Sequence, residues 1–536
     1  MMDLYFLDIL KLLLVLVVLF IGSKVYEFIY IPWSYRRFYK KYPNVTMVDK
    51  FYPMLGDVKL MEQNVASKKA GFYHYYQDAL ENGEKIDLRL TQMGPVTRIE
   101  VCSVKAFKEF EKLIPHKVDR KDKGLSPTTR LLAGGFALRK SDESWHNRKT
   151  AVVKLLGINK CSEYIKMMTQ TIDRQVDLVK EGEQINFGDF LANITFMIIS
   201  KILFGADIEE NMPRVTYINP KTKQKELVSF RDLFFRTSRD EFEAFVNPAG
   251  KLFPTLAENN LVEPFRTSSK NIAEFRRTIQ DFCENSTDKD SIYNFLRNYD
   301  TSDNGKVSNG KSIKGIPKDQ CVNDTILLLF GGFDTTSHTI TSALYFLKRN
   351  PDKLEKLMAN LKEHKIDEFD TLLNIDGKES LQSCDYLLHC IKETLRLDNA
   401  AGASLYYQVK EDITICGVPI HKRDTMNINL IYPHYNPTQY REPLEFIPER
   451  FDPDSEYFYL PGSDKVTRDP KSYVPFTFGQ RNCTGQTLAK LESKVLLARI
   501  ISRLDYEIDQ EISENPNLRF NLFEKAQLTG KVIKKL

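Results

Sequence analysis

The sequence of 536 residues lacks several patterns that define common classes of protein. Its eight cysteines include no CxxC pair, so no zinc site of that spacing is expected, and their scatter is typical of reduced intracellular thiols. Lysine and arginine total 76 against 72 acidic residues, and this near-neutral balance gives no support to nucleic-acid binding. There is no internal repeat, and most of the chain is too polar for a protein with many membrane spans.

Long hydrophobic runs are also scarce, and a single one has the length of a membrane span. Residues 4–22 are strongly apolar and would give a helix of roughly 28 Å, enough to cross a hydrocarbon core. A cleaved signal peptide is the alternative, but the basic residues follow the apolar run instead of preceding it. We therefore predict a transmembrane signal anchor over residues 1–22, a basic and aromatic juxtamembrane linker over 23–41, and a globular domain over 42–536.

In the globular part, apolar residues recur mostly with the period of an α-helix. Residues 319–349 form a long helical pattern that Pro351 stops, and a last helix is expected over 485–504. Residues 87–101 alternate around a Gly-Pro turn and predict a small hairpin. Residues 305–312 (GKVSNGKS) fit the letters of a phosphate-binding loop, but no buried strand precedes them, so we interpret them as a surface loop.

Residues 476–485 (FTFGQRNCTG) are the most informative segment. Gly479 and Gly485 allow tight turns that leave backbone amides free to face the sulfur of Cys483. Amides and the start of the following helix stabilise a thiolate, and Arg481 adds a cation nearby. Such a loop would present a thiolate to a metal or a cofactor, whereas we interpret the other seven cysteines as inert small hydrophobes.

This segment resembles the FxxGxRxCxG haem-binding signature of the cytochrome P450 family, with matches at Phe476, Gly479, Arg481, Cys483 and Gly485. The resemblance implies that the segment binds haem b, with Cys483 as axial ligand of the iron and Arg481 at a propionate. It also implies the family fold, which is mainly α with a small β part. One catalytic domain over 42–536 would then lie behind the N-terminal transmembrane helix.

Two further matches concern structure rather than chemistry. Glu393 and Arg396 form the ExxR motif of the family, and residues 448–451 (PERF) supply Arg450. By the resemblance these three side chains form a buried network behind the haem. An ordinary surface ion pair is the alternative for ExxR taken alone.

The family's oxygen-activating helix has its counterpart at residues 331–336 (GGFDTT). Two glycines inside a helix cost about 1 kcal/mol each relative to alanine, and close approach of haem and dioxygen with a local widening of the helix would explain them. A close crossing with another helix is the alternative. By the resemblance Thr335 donates to bound dioxygen and Asp334 relays protons.

Trp145 resembles the tryptophan of the WxxxR motif, which binds a haem propionate. The motif's spacing places Lys149 at the basic position, with Arg148 one residue earlier, and both remain candidates. The family also has an arginine downstream of ExxR that binds a propionate. Residues 406–408 (YYQ) stand there in this chain, so one propionate contact is expected to be polar.

The resemblance implies a monooxygenase that inserts one oxygen atom from O2 into a lipophilic substrate such as a fatty acid, a sterol or a xenobiotic. No flavin or nicotinamide fingerprint is present, so electrons would come from a separate NADPH–cytochrome P450 reductase, with cytochrome b5 as a second candidate donor. A basic surface would receive the donor. Its candidate residues are Arg148, Lys149, Lys154, Lys471 and Lys490.

The anchor implies a single-pass protein of the endoplasmic reticulum membrane, in contact with membrane lipids and with its catalytic domain in the cytosol. Substrate contacts would come from residues 124–136, 234–256, 327–332 and 400–405, of which 245–256 are apolar enough to dip into a membrane. Two alternatives stay open. One is an isomerase or dehydratase on the same haem-thiolate scaffold, which activates no O2, and the other is a catalytically silent haem- or ligand-binding membrane protein.

Overall fold

The computed structural model of the chain describes residues 2–67, 69–83, 85–121, 130–205, 214–285, 291–299, 315–373, 377–513 and 528–535. The phosphate-loop pattern at 305–312 lies outside the described residues, and so do residues 124–129 of one expected substrate region.

The amino-terminal part is helical without interruption. Helix α1 (Met2–Val25) continues through a π-helical turn (Tyr26–Tyr30) into α2 (Ile31–Tyr39). Residues 12–21 expose their side chains, as expected of a helix that is long and apolar enough to cross a membrane. The buried Tyr39 at the end of α2 donates to the carbonyl oxygen of Pro419 at 3.2 Å, which fixes α2 against the short strand Val418–Ile420.

Helices make up most of the remaining described chain. They are α3 (Val58–Ala66), α4 (Tyr73–Asn82), α5 (Val104–Leu113), α6 (Glu143–Leu155), α7 (Ile158–Glu163), α8 (Ile165–Leu178), α9 (Phe187–Phe204), α10 (Phe230–Val246), α11 (Pro248–Leu252), α12 (Pro254–Glu258), α13 (Phe265–Asn285), α14 (Ile292–Asn298), α15 (Lys318–Arg349), α16 (Pro351–Glu363), α17 (Phe369–Leu373), α18 (Gly377–Ser383), α19 (Asp385–Leu397), α20 (Tyr432–Tyr435), α21 (Gln486–Arg503) and α22 (Gln510–Ser513). Short 3-10 turns occupy Phe136–Leu138, Pro448–Phe451, Glu456–Phe458, Pro470–Ser472 and Gly479–Arg481. The mainly α class with a small β part is confirmed.

The strands are β1 (Val45–Thr46), β2 (Leu88–Met93), β3 (Val96–Val101), β4 (Val118–Arg120), β5 (Gln184–Asn186), β6 (Val215–Ile218), β7 (Lys225–Val228), β8 (Tyr407–Val409), β9 (Ile413–Ile415), β10 (Val418–Ile420), β11 (Thr425–Ile428), β12 (Leu504–Ile508) and β13 (Thr529–Lys535). The largest sheet has the order β1-β2-β3-β11-β8-β4. The predicted hairpin is its β2–β3 pair, and Gly94 has the positive φ of +62° that the turn requires. β4 and β8 are antiparallel neighbours at one edge.

Helix α15 runs through the main core, packed against α9 and α21. Its bounds agree with the predicted 319–349, and α21 agrees with the predicted 485–504. α9 is also long and apolar enough to span a membrane, but two thirds of it is buried, which identifies it as a core helix. α15 is an unbroken α-helix, so the predicted local widening is absent from it.

One buried carboxyl group on α21 makes the stability of the fold depend on pH. Glu492 is 1% exposed, its Oε1 has no partner among the described residues, and burial raises its pKa well above the ordinary value. Because the folded state keeps a proton that the unfolded state releases above about pH 4.5, stability falls as the pH rises.

We expect Glu492→Gln to raise the melting temperature more at pH 8 than at pH 5. The advantage in free energy of unfolding should grow by about 1.4 kcal/mol per pH unit until the folded-state pKa is reached. Thermal melts at several pH values measure it, with the exposed Glu355→Gln on α16 as control. If the melting temperatures of Glu492→Gln and the wild type changed with pH in parallel, this explanation would be contradicted.

Candidate active site

The cysteine loop joins a 3-10 turn (Gly479–Arg481) to α21. The amide of Cys483 donates to the carbonyl oxygen of Phe476 at 3.0 Å and closes the loop. Gly479 has φ of +67°, and a Cβ there would lie 2.6 Å from Oε1 of Glu111, so this position requires glycine. Gly485 lies in the predicted turn before α21, but its φ of −87° is ordinary, so the backbone there does not require glycine. A Cβ at Gly485 would lie 4.0 Å from Sγ of Cys483.

The sulfur of Cys483 is accessible although protein surrounds it. The residue is exposed by accessible area, yet desolvation is the main influence on its thiol and raises the pKa. Exposure of the residue and desolvation of its thiol are both expected if the sulfur faces an internal cavity, where no protein atom covers it but bulk water is distant. Hydrogen bonds from the amides of Gly485 and Gln486 lower the pKa of the thiol, as does the charge of Lys149, but burial outweighs them. Burial therefore disfavours a thiolate in the free loop, whereas a bound metal ion would favour the deprotonated sulfur.

Buried cations lie beside this loop with incomplete hydrogen bonding. Arg481 donates through Nη2 to Oδ1 of Asp119 at 3.1 Å and to the carbonyl oxygen of Arg139 at 3.0 Å, but its Nε and Nη1 have no partner among the described residues. The Nε of Arg120 is likewise unpaired within the described chain. Burial and the charge of Arg120 lower the pKa of Arg481 to about 10. Free guanidinium donors beside an accessible thiol fit a planar group that carries carboxylates, as haem does.

Trp145 and Lys149 on α6, both predicted to bind a haem propionate, make different contacts. The ring of Trp145 is buried and lies 4.0 Å from the guanidinium of Arg481. Lys149 donates to the carbonyl oxygen of Gln480 and, at 3.1 Å, to Oδ1 of Asn482, so it contacts the cysteine loop itself.

Arg148, the alternative to Lys149, points elsewhere. It is 1% exposed and forms a two-point ion pair with Asp324 on α15, with 2.7 Å between Nε and Oδ2. The prediction of Arg148 in a basic docking surface is therefore wrong, because its side chain holds α6 against α15. Among the other candidates, Lys471 pairs with Glu111 at 2.7 Å, whereas Lys154 is exposed.

The two glycines of α15 have different surroundings. A Cβ on Gly332 would lie 2.6 Å from Cγ1 of Ile199 on α9, so this glycine serves a close helix crossing. Gly331 is exposed, and apart from the backbone of its own helix no atom of the described residues lies within 4 Å of a Cβ built there. Thr335 donates to the carbonyl oxygen of Gly331 at 3.0 Å, as in a regular helix. Thr335 and the neighbouring Asp334 lie on the turn of α15 that borders the open space beside Gly331.

Alanine at these two glycines should therefore have opposite effects on stability. We expect Gly332→Ala to lower the free energy of unfolding by about 1–3 kcal/mol, because the buried Ile199 cannot move aside in its helix. Gly331→Ala should leave stability unchanged or raise it by up to about 1 kcal/mol. Denaturant unfolding of both variants measures the difference, and equal destabilisation would refute the distinction.

Glu393, Arg396 and Arg450 form a buried network behind the cysteine loop. Oε1 and Oε2 of Glu393 each accept from Arg396 at 2.8 Å, and Arg450 donates to Oε1 at 3.0 Å. Arg396 also donates to the carbonyl oxygens of His434 and Pro443. All three charged side chains are fully buried, so the network fastens α19 to the Pro448–Phe451 turn.

Sequence reasoning missed Arg120 and Asp119 on β4, which pair in the sheet with Tyr407 and Gln408 of the segment where a polar propionate contact was expected. The guanidinium of Arg120 lies 4.2 Å from the ring centre of Tyr407, at the place where the family pattern led us to expect another arginine. Asp119 accepts from Arg481 and from the amide of Ser141. The β4–β8 pairing brings these residues together, and no local sequence pattern signals that pairing.

Comparison with known proteins agrees with this arrangement. The family model described as Cytochrome P450 matches residues 82–533. The chain is 28% identical to cytochrome P450 3A28 of Bos taurus over 373 residues and 26% identical to cytochrome P450 3A9 of Rattus norvegicus over 374 residues, covering 68% of both chains in each case. It is 32% identical over 217 residues to the cytochrome P450 monooxygenase tpeC of Talaromyces stipitatus, covering 40% of both chains. The chain therefore belongs to the cytochrome P450 family and is an oxidoreductase of the monooxygenase type that binds haem b.

Proposed function

We propose that this enzyme inserts one oxygen atom from O2 into a lipophilic substrate, using electrons that a separate NADPH–cytochrome P450 reductase supplies. The observation that carries the proposal is the accessible sulfur of Cys483 beside the incompletely paired guanidinium groups of Arg120 and Arg481. Cys483 would be the thiolate ligand of the haem iron, Gly485 would leave room beside its sulfur, and Phe476 closes the loop through its carbonyl oxygen. Bound haem b supplies the iron at which O2 is reduced.

The chain's own groups would hold that cofactor and move protons. Arg481, Arg120 and the ring of Trp145 would bind the propionates, while Lys149 would hold the cysteine loop in place through its bonds to Gln480 and Asn482. Donors already fixed by burial lose little freedom on binding, which favours tight retention.

Asp334 and Thr335 would deliver protons to the space beside Gly331. The acid can take a proton from solvent, and the hydroxyl can pass one on, because a hydroxyl both donates and accepts. Its present acceptor, the carbonyl oxygen of Gly331, is 3.0 Å away and borders the open space. An isomerase or dehydratase would not need this pair.

We further propose that residues 1–22 anchor the enzyme in the endoplasmic reticulum membrane with the domain 42–536 in the cytosol, where the reductase, or cytochrome b5, can dock. Exposed apolar side chains support contact with lipid, since Phe253 and Leu256 of the 245–256 segment are about 40% exposed. Phe253 also stacks on Phe20 of α1, with 5.4 Å between ring centres.

The test is reconstitution of the full-length haem protein with NADPH–cytochrome P450 reductase, lipophilic substrates and isotopically labelled O2. We expect NADPH consumption and one labelled oxygen atom per product molecule. A product formed without NADPH would favour the isomerase or dehydratase. Ligand binding with no product for any compound would favour a silent binding protein.

Thr335→Ala should lower the yield of product per NADPH several-fold while leaving substrate affinity unchanged, because a proton donor is lost and no apolar contact is removed. Thr339→Ala is a matched control, since Thr339 makes the same bond to the carbonyl oxygen four residues earlier, at 2.9 Å, but is buried. NADPH oxidation and product are measured together. Equal yields for Thr335→Ala and the wild type would remove Thr335 from the proton path.

A further inference from the structure

A stripe of polar side chains continues along α15 beyond the open space at Gly331. Thr335, His338 and Ser342 follow that glycine at spacings of four, three and four residues, so all of them lie on one face of the helix. Thr335 is half-buried, His338 is 6% exposed and Ser342 is fully buried. The stripe therefore leads from the space beside Gly331 into the core.

The stripe ends at a buried carboxyl group from another element. Asp398 directly follows α19 and is fully buried, and its Oδ2 accepts a hydrogen bond from Oγ of Ser342 at 2.8 Å. The same oxygen lies 3.4 Å from Nε2 of His338. The amide of Asp398 donates to the carbonyl oxygen of Thr394 at 2.8 Å, so the end of α19 holds this carboxyl group against α15.

Burial gives the contact between His338 and Asp398 an electrostatic role. A carboxylate that is removed from water is costly unless a cation or hydrogen-bond donors face it. Ser342 supplies one donor. Nε2 of His338 is buried and makes no hydrogen bond in the described chain, so at 3.4 Å it acts on Asp398 through charge. An imidazolium ring at this place would offset the cost of the buried carboxylate.

Helix geometry directs the ring of His338 towards the turn of Thr335. Side chains of an α-helix tilt towards its amino terminus, and side chains three residues apart are neighbours with about 5–6 Å between their Cβ atoms. A histidine ring spans such a gap directly or through one water molecule. The hydroxyl of Thr335 donates to the carbonyl oxygen of Gly331, and a hydroxyl that donates can also accept.

The reaction of the proposed function needs more than one proton. Insertion of one oxygen atom from O2 uses two electrons and two protons, and the second oxygen atom leaves as water. The electrons come from NADPH through the reductase. Asp334 is a single carboxyl group that holds one proton at a time, so a second group beside Thr335 would complete the supply.

We propose that His338 is this second proton donor and that Asp398 is its positioning residue. The ring carries protons on both nitrogens and passes the proton of Nδ1 to the hydroxyl of Thr335, which releases its own proton towards the space beside Gly331. Nε2 keeps its proton and its contact with Asp398. Solvent that enters the open space returns a proton to Nδ1 before the next turnover. The inference rests on the proposed function and adds one group to its proton supply.

The yield of product per NADPH tests the role of His338, measured with the full-length haem protein, the reductase and the compound that gives labelled product in the reconstitution described above. His338→Gln has no proton to give and should lower the yield at least about threefold, while the spectral affinity for that compound stays unchanged. Combining His338→Gln with Thr335→Ala should lose no more than Thr335→Ala alone, because both groups act on one route. Combining it with Asp334→Asn should lose more than either single variant, because the two donors are separate.

Nitrogen NMR reports the charge of the ring without turnover. The signal of His338 among the eight histidines is identified by its absence from the spectrum of His338→Gln, with the protein as its carbon monoxide complex. The ring should carry two protons at neutral pH in the wild type, and Asp398→Asn should leave it with one.

His74→Gln on α4 is the matched control. Nε2 of His74 is also buried without a hydrogen bond in the described chain, but burial lowers the pKa of this ring to about 3, so it carries no charge to lose. The yield of this variant should equal that of the wild type. Unfolding midpoints of all variants are measured on the same preparations.

Three results would overturn the proposal. They are equal yields for His338→Gln and the wild type, a ring of His338 with a single proton in the wild type, and losses in His338→Gln and Thr335→Ala that multiply in the double variant. The last result would mean that His338 acts through packing alone. If the wild type forms no labelled product with any compound, the proposed function itself fails, and this inference fails with it.

Discussion

Replacing Cys483 with alanine is expected to abolish the red-shifted Soret band that the dithionite-reduced protein shows with carbon monoxide. That band reports a thiolate bound to haem iron, and Cys483 is the cysteine whose sulfur is both accessible and surrounded by protein. Monooxygenase activity should disappear with the band. The measurement is the carbon monoxide difference spectrum of the purified full-length protein.

The control is a variant of a second cysteine, one that packs in the core and has no proposed role at the haem. Cys384 is fully buried, with its sulfur 3.0 Å from Oδ1 of Asn360, so Cys384→Ala should keep the band and lose only a little stability. A band that survives in Cys483→Ala, in protein whose circular dichroism is unchanged, would disprove the ligand assignment. Loss of the band in both variants would point to a folding defect instead.

Glu393→Ala is expected to destabilise the protein by about 3–5 kcal/mol, because it leaves Arg396 and Arg450 buried without their carboxylate. So large a loss should also sharply lower the yield of haem-loaded protein. Denaturant unfolding gives the stability, and the carbon monoxide spectrum gives the fraction of loaded protein.

The chain contains a second ExxR pair that serves as a matched control. Glu274 and Arg277 on α13 have the same spacing and the same 2.8 Å between Oε1 and Nη2, but the arginine is 62% exposed. Glu274→Ala should leave the unfolding midpoint within experimental scatter, since water replaces the lost partner. Similar losses of stability in the two variants would mean that burial is not the cause of the large effect of Glu393→Ala.

The elements that the sequence predicts well are those that local pattern determines. The bounds of α15 follow from apolar periodicity and the stop at Pro351, and the β2–β3 hairpin follows from alternation around Gly94. The motif at Cys483 is equally local. Each of these depends on residues that are near one another in the chain.

The parts that could not be predicted depend on distant residues. Asp119 lies in β4, and its contact with Arg481 joins positions 362 apart in sequence. The surroundings of Gly331 and Gly332 differ because α9 passes on one side of α15 alone, which periodicity does not reveal. Likewise, the burial of Arg148 depends on Asp324 facing it across the core.

The continuous helix from Met2 to Tyr39 has a mechanical consequence. A flexible tether would let the domain swivel above the bilayer, whereas 14 helical residues from Tyr26 to Tyr39, roughly 20 Å of rigid shaft, transmit rotation from the anchor to the sheet. If residues 1–22 span the membrane, the thickness of the bilayer sets the tilt of that shaft. The same thickness would then set the depth at which Phe253 and its neighbours meet the lipid.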